Sequence, residues 1–356
     1  MAKDSKNNRL FDLPETKGQF QVRGIVSGTD KDNFYKELTT KNNKPMRMVN
    51  FGLQFDKEVT MYAGFNGMEQ DDVYFSATEK TEDGKSKTIV EKVPWKDRFT
   101  FKKEGFRPIG VNIGVKKILD EKGKEVNDKK VLSQYDACKE VGDNLQDGES
   151  VFVKGNITYS TYENKHQTRF EPNQISLCKP VDFEAEDFQK MANFQQKIIF
   201  VGITPNEDKT KFSVAAKIVT YNTIEDAEFV ILNPALAMQF KKALKPYSAI
   251  DVWGDISVEK HIEETEVTDV WGAQNEMKRV SAPTTRELVI TGADPNSIEK
   301  EVYSESAIDA AIEKIKASKQ TKEEFYGKDK KKDAASGGWG GDLPFDTDDD
   351  DDTTGW

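Results

Sequence analysis

Apolar and polar residues alternate with period two along much of this chain, as half-buried strands do. RMVNFGLQF sets Val49, Phe51, Leu53 and Phe55 on one side, with Met48, Asn50 and Gln54 on the other and Arg47 at the start. VTMYAGF places Tyr62 opposite inward Met61 and Ala63, and VFVKGNIT turns Lys154 and Thr158 away from Val151, Val153 and Ile157. Three stretches read as helices instead. NDKKVLSQYDACKEVGDNL spaces Val131, Tyr135, Cys138 and Leu145 after a cap at Asn127, and NPALAMQFKKAL starts with Asn233 as cap and Pro234 at the first helical position. SESAIDAAIEKIKASKQ lines Ile308, Ile312 and Ile315 along one face, with Ser306 and Asp309 as a capping pair.

The order of these elements occurs twice. GQFQVRGIVSGTDKDNFYKE and QKIIFVGITPNEDKTKFSVA both read as an apolar strand, a polar turn and an aromatic restart. In each half two more strands, a helix and two final strands follow, with Gly155 and Gly254 inside the fourth strands, where small barrels bend sharply. Three strands, a helix and two strands is the order of an OB-fold, a five-stranded Greek-key barrel. The expected fold is mainly β: two tandem OB-fold barrels, each with a helix between strands three and four, plus a short C-terminal helix and a disordered acidic tail. The expected boundaries are an N-terminal arm at 1–16, a first barrel at 17–180 with a basic aromatic insertion at 78–117, a second barrel at 181–300, a helix at 301–320, and a linker and acidic tail at 321–356.

Charge separates the halves. The net −11 conceals 31 Lys+Arg against 28 Asp+Glu over residues 1–180, 13 against 20 over 181–300, and 8 against 15 over 301–356. Within residues 80–117 there are 11 cations against 5 acids, interleaved with Trp95, Phe99, Phe101 and Phe106. No stretch approaches the roughly 20 apolar residues of a membrane span. The start MAKDSKNNRLFDLPE lacks a secretory apolar core, so a cytoplasmic protein is expected, in the host cytoplasm if phage-encoded. Cys138 and Cys178 form no CxxC and read as small buried apolar residues, with no zinc site or disulfide framework.

Single-stranded nucleic acid presents phosphates and unstacked bases, met by cations and by rings at about 1–3 kcal/mol per stacked base. Arg47, Tyr62, Tyr74, Trp95, Arg98, Phe99, Phe101, Lys102, Phe106, Arg107, Lys154, Tyr159, Tyr162 and Arg169 are the candidate contacts. A ring in a strand is more often core than platform, so the set carries this reading rather than any member. In the acidic second copy, Phe212, Tyr221, Trp253 and Trp271 either extend the track or serve a protein-interaction platform. Two loop histidines, His166 and His261, and the lack of a phosphate loop or nucleophile elbow give no catalytic site, metal or cofactor, so no enzyme is expected.

The chain closes on GGDLPFDTDDDDDTTGW, in which an acidic run carries apolar tips. With the barrels, this end resembles the single-stranded DNA-binding proteins of replication, in particular the phage-encoded kind. Bacterial members carry an Asp-x-Pro-Phe tip, matched by Asp342, Leu343, Pro344 and Phe345; here that motif is internal, and the end at Trp356 is more like phage proteins whose acidic tails finish in one aromatic. The resemblance implies a sequence-independent binder that protects single-stranded DNA. It also implies that Asp348, Asp349, Asp350, Asp351 and Asp352 compete with DNA for the basic groove, while the apolar tips recruit replication or recombination proteins. No membrane partner or small-molecule substrate is expected. The rival reading is a protein-interaction or structural phage module built on OB barrels.

Overall fold

The computed structural model describes residues 9–40, 43–80, 86–162, 165–259, 262–264, 279–281 and 285–327. The first half contains β1 (Gly18–Ser27), β2 (Tyr35–Thr39), β3 (Pro45–Asp56), β4 (Val59–Met68), β5 (Asp72–Lys80), β6 (Ser86–Pro94), β7 (Arg107–Pro108), β8 (Val111–Gly114), β9 (Lys117–Leu119), β10 (Glu125–Asn127) and β11 (Lys130–Leu132). The helix α1 (Gln134–Asn144) then leads to β12 (Ser150–Tyr162) and β13 (Lys165–Leu177). The second half contains β14 (Ala192–Pro205), β15 (Phe212–Val219), β16 (Ile224–Ile231), α2 (Pro234–Ala243), β17 (Ser248–Glu259), β18 (Ile262–Glu264), β19 (Arg279–Ser281) and β20 (Thr285–Glu299), and α3 (Glu305–Gly327) follows. The protein is mainly β. Among the described residues no helix is long and apolar enough to cross a membrane.

In the second half the hydrogen-bonded ladders run from β14 through β15, β16, β20 and β17 and return to β14. In the first half β3 pairs with β1, β2 and β4, and β1 continues through β12 to β13. There β8, from the insertion, runs parallel beside β13, in the relation that β16 has to β20. Both fourth strands break register at their glycine, between Lys154 and Gly155 and between Trp253 and Gly254. A Cβ at Gly155 would lie 2.0 Å from the Glu171 carbonyl oxygen, and one at Gly254 1.8 Å from that of Val289. The close strand crossing therefore admits only glycine at these two places.

The halves are joined by β1 and β14, which pair antiparallel with Phe20 opposite Phe194. One apolar cluster spans both, with the Tyr159 and Phe194 rings 6.5 and 6.0 Å from Phe229. Buried Gln196 at this seam donates to the Thr16 carbonyl at 2.7 Å and accepts from the Tyr159 hydroxyl at 3.3 Å. The long hairpins also cross over. Thr161 on β12 donates to Glu225 of β16 at 2.8 Å, and β17 packs near β4.

The inward stripe Val49, Phe51, Leu53 and Phe55 is fully buried, and Met61 and Ala63 are buried beside it. Met48, expected outward, is also buried, with β2 and β4 paired on either side of it. The first helix does not start after Asn127. That residue ends β10, and Val131 pairs with Asn112 because β8 takes a partner there. The cap is Ser133, which accepts from the Asp136 N–H, while Tyr135, Cys138 and Leu145 are buried as their spacing predicts. Asn233 caps α2 by accepting from Ala235 N–H, with Pro234 at its start.

The third helix runs to Gly327, and its cap is Ser304, whose carbonyl accepts from Ala307 and Ile308. Ser306 therefore lies inside the first turn rather than at the cap. Ile308 and Ala311, with Ile312 and Ile315 beside them, pack on a second apolar cluster holding Phe11, Ile199, Val219 and Tyr303. The tail residues Asp342 to Trp356 lie outside the described residues.

Candidate nucleic-acid interface

The insertion folds as a three-stranded sheet in the order β6, β5, β7. One of its faces is packed: Phe75 is buried, the Phe101 ring lies 4.6 Å from it, and Lys103 pairs with Glu91 across the sheet while resting 4.5 Å above Phe106. The other face is open. Tyr74 stands opposite Lys92, and Ser76 stands between Val90 and Arg107. Tyr74 and Val90 are about half exposed, and Lys92 is tied to Asp72 at 2.8 Å.

After β6 the chain makes a 3-10 turn at Trp95–Asp97 and builds a column of stacked groups. The Arg98 guanidinium lies 4.1 Å from the Trp95 ring centroid and 4.3 Å from that of Phe99. Its Nε and Nη2 donate to the two carboxylate oxygens of Asp136 at 2.8 and 3.1 Å, and Nη1 donates to the Trp95 carbonyl at 3.0 Å. Asp136 in turn accepts from the Ser133 hydroxyl at 2.8 Å, so the cap of α1 and the insertion share one carboxylate. Trp95 meets Tyr135 edge-on at 5.9 Å, and Arg47 covers Tyr135 at 4.0 Å. Arg47 shares the alternation phase of Val49 and faces α1 rather than solvent, paired with Glu37 at 3.0 Å. Hydrogen bonding by Tyr35 to Glu37 holds that carboxyl below its ordinary range.

The column ends in solvent at Phe99, whose ring is 63% exposed. Lys96 and Lys102, three positions to either side in the chain, and Arg107 on β7 make no ion pair among the described residues. An exposed ring held from behind by a fixed cation, on a segment whose other cations are uncommitted among the described residues, offers a stacking surface and positive charge together.

The remaining candidates are dispersed. Tyr62 is 45% exposed on β4. Lys154 sits on the outer face of β12 between Gln21 and Gln174. Arg169 lies opposite Thr158 and donates to Gln167 at 3.1 Å. Tyr159 is a correction to the candidate set: it is buried, its hydroxyl is bonded to Gln196, and burial pushes its ionisation upward, so its ring has no face for a ligand. Tyr162 pairs with Lys165 in the ladder, and its side chain lies outside the described residues. In the second half Phe212 is partly covered, Tyr221 and Trp253 are exposed, and Trp271 lies outside the described residues.

Alternation and spacing did not single out Arg286. Its guanidinium lies 5.7 Å from the Tyr62 ring, across the two halves. Only the hairpin crossing could have pointed to it.

Fold and site together define a mainly β protein that carries a cation–aromatic surface on an inserted sheet. The family model YorF matches residues 80–328, more than half of the chain, and the chain belongs to that family. No curated protein matches it. Among solved structures it is similar to the wild-type single-stranded DNA-binding protein from Thermus aquaticus, at 10% identity and a TM-score of 0.37, over 79% of this chain and 93% of that one. A deletion variant of the same Thermus aquaticus protein gives 10% identity and a TM-score of 0.36, over 79% and 94%.

Proposed function

We infer that this chain binds single-stranded DNA without sequence preference, protecting it during replication or recombination. In this reading the two halves are tandem OB barrels and the first carries the binding face. The acidic tail, through Asp342 to Phe345 and Trp356, recruits partner proteins. The observation that carries the reading is the exposed Phe99 ring backed by the clamped Arg98, in a segment where Lys96, Lys102 and Arg107 make no ion pair among the described residues. A ring stacks on any base and loose cations follow a phosphate chain, so the site has the chemistry for strand binding without sequence readout.

The test is titration of the intrinsic tryptophan fluorescence with poly(dT), duplex DNA and RNA, at low and high salt. The full chain and a truncation at residue 340 are compared. Salt-sensitive quenching by poly(dT), tighter in the truncated chain, is the expected result, because Trp95 is part of the stacked column. No response to any nucleic acid overturns the reading.

A further inference from the structure

Where the hairpin of one half crosses onto the other, the guanidinium of Arg286 lies over the ring of Tyr62 without closing into a tight stack. Tyr62 projects from β4 of the first half, and Arg286 comes from the start of β20 in the second. In the closed stacks of the first half the guanidinium sits 4.0 to 4.3 Å from its ring, and each arginine is anchored on a carboxylate, Glu37 for Arg47 and Asp136 for Arg98. Arg286 stands 5.7 Å from the Tyr62 centroid, and among the described residues it has neither a hydrogen bond nor an ion pair. Its neighbour Glu287 is taken by Lys211 at 2.5 Å, and the strand lysines Lys197 and Lys217 are paired with Glu299 and Asp226. While those lysines are neutralised, this arginine faces an exposed ring of the opposite half.

We propose that Tyr62 and Arg286 are the two jaws of a nucleobase clamp, one jaw from each half. The proposal rests on the strand-binding reading above and extends it, by making the second half a contributor to the binding path. A flat ring seated between two planes requires about 7 Å, twice a van der Waals separation of about 3.5 Å. The Arg286 guanidinium carbon lies 5.7 Å from the ring centroid, more than an ångström beyond its place in the closed stacks, and seating a base asks for a further opening. An arginine with neither a hydrogen bond nor an ion pair among the described residues supplies that opening by a side-chain rotation, which an arginine locked on a carboxylate does not. Once a base is seated, Tyr62 covers one of its faces and the guanidinium plane the other. Every base has two flat faces, so the clamp takes any of them and fits a binder without sequence preference. The joint origin of the jaws fixes where the strand passes from the first half to the second.

The experiment measures binding of a fluorescently labelled thymidine oligonucleotide by anisotropy, for the full chain and for Tyr62→Ala, Arg286→Ala, Arg286→Lys and the Tyr62/Arg286 double alanine variant. Melting curves confirm that each variant is folded. The clamp predicts a loss of about 10-fold for either single alanine variant. The double variant is then little weaker than each single, and Arg286→Lys behaves like Arg286→Ala because an ammonium has no plane to stack. A uridine oligonucleotide shows the same pattern if the base is the recognised group, and an oligonucleotide abasic throughout shows no difference among the proteins. Multiplying single-variant losses, recovery of affinity by Arg286→Lys, or an Arg286→Ala variant that binds normally each overturns the clamp while leaving strand binding in place. A wild-type chain that binds no oligonucleotide overturns the strand-binding reading and the clamp with it.

Discussion

The carboxylate of Asp136 holds the guanidinium of Arg98 by two parallel hydrogen bonds, at 2.8 and 3.1 Å, and so fastens the inserted sheet to the first turn of α1. Both side chains are largely covered, at 18% and 11% exposure, which makes this a fixed support for the rings on either side of the arginine. The bidentate geometry explains how a loop segment between β6 and β7 presents Phe99 in one orientation.

Asp136→Ala removes the partner of a largely covered cation and the acceptor of the Ser133 hydroxyl at once. A loss of about 2–3 kcal/mol is expected from those two effects together. The urea midpoint of the folded chain measures it, and an unchanged midpoint would show that the stack holds Arg98 without the carboxylate.

Phe99→Ala and Trp95→Ala separate presentation from support. Phe99 is mostly in solvent, so its removal is expected to change stability by less than about 0.5 kcal/mol while weakening binding of poly(dT) by about 1–3 kcal/mol. Trp95 lies between Arg98 and Tyr135, so its loss reduces both. Equal stability losses in the two variants would contradict this division.

Lys102→Ala and Arg107→Ala remove cations that pair with no carboxylate among the described residues. If each contacts one phosphate, each flattens the dependence of log affinity on log salt by about 0.7 for a single strand. Lys92→Ala serves as the contrast, because Lys92 is already bound to Asp72 and its removal leaves the slope nearly unchanged.

Gly254→Ala places a methyl group 1.8 Å from the Val289 carbonyl oxygen and is expected to destabilise the fold by about 1–3 kcal/mol or more. At Gly202 nothing lies within 4 Å of an added Cβ, so Gly202→Ala is expected to be close to neutral. Thermal melts of the two variants compare them directly.

Burial pushes the Cys138 thiol up to about 12 from an ordinary value of 9.0. Its folded pKa is raised, so the stabilisation from keeping it neutral is present below pH 9 and declines as the pH climbs toward 12. At pH 8 the folded chain is expected to alkylate at partly exposed Cys178 before Cys138, a sequence that mass spectrometry of iodoacetamide-treated protein resolves. Cys138 reacting first would show that α1 opens readily.

Much of this architecture is written in local pattern. The inward stripe of β3 follows from alternation, the α2 boundary from Asn233 and Pro234, and the register breaks from glycines within apolar strands. Each depends on neighbours within a few residues, which is the range over which propensity and periodicity act. Local spacing places the first helix boundary too early because Val131 satisfies helical periodicity equally well, and only the distant strand β8 recruits it into a ladder. For the same reason Ser133, and not Asn127, is the cap.

Local pattern and composition carry the mainly β character, the concentration of cations and rings in the insertion, and the acidic balance of the second half. Tertiary structure decided which of those charged and aromatic groups remain available. Arg98 and Arg47 are committed to carboxylates from other parts of the chain, Tyr159 is drawn into the seam between the halves, and Arg286 is brought to Tyr62 from 224 positions away. Composition records that a cation exists, whereas its partner is set by chain crossings that bring distant segments within a few ångströms, and electrostatic and stacking energies depend on that separation.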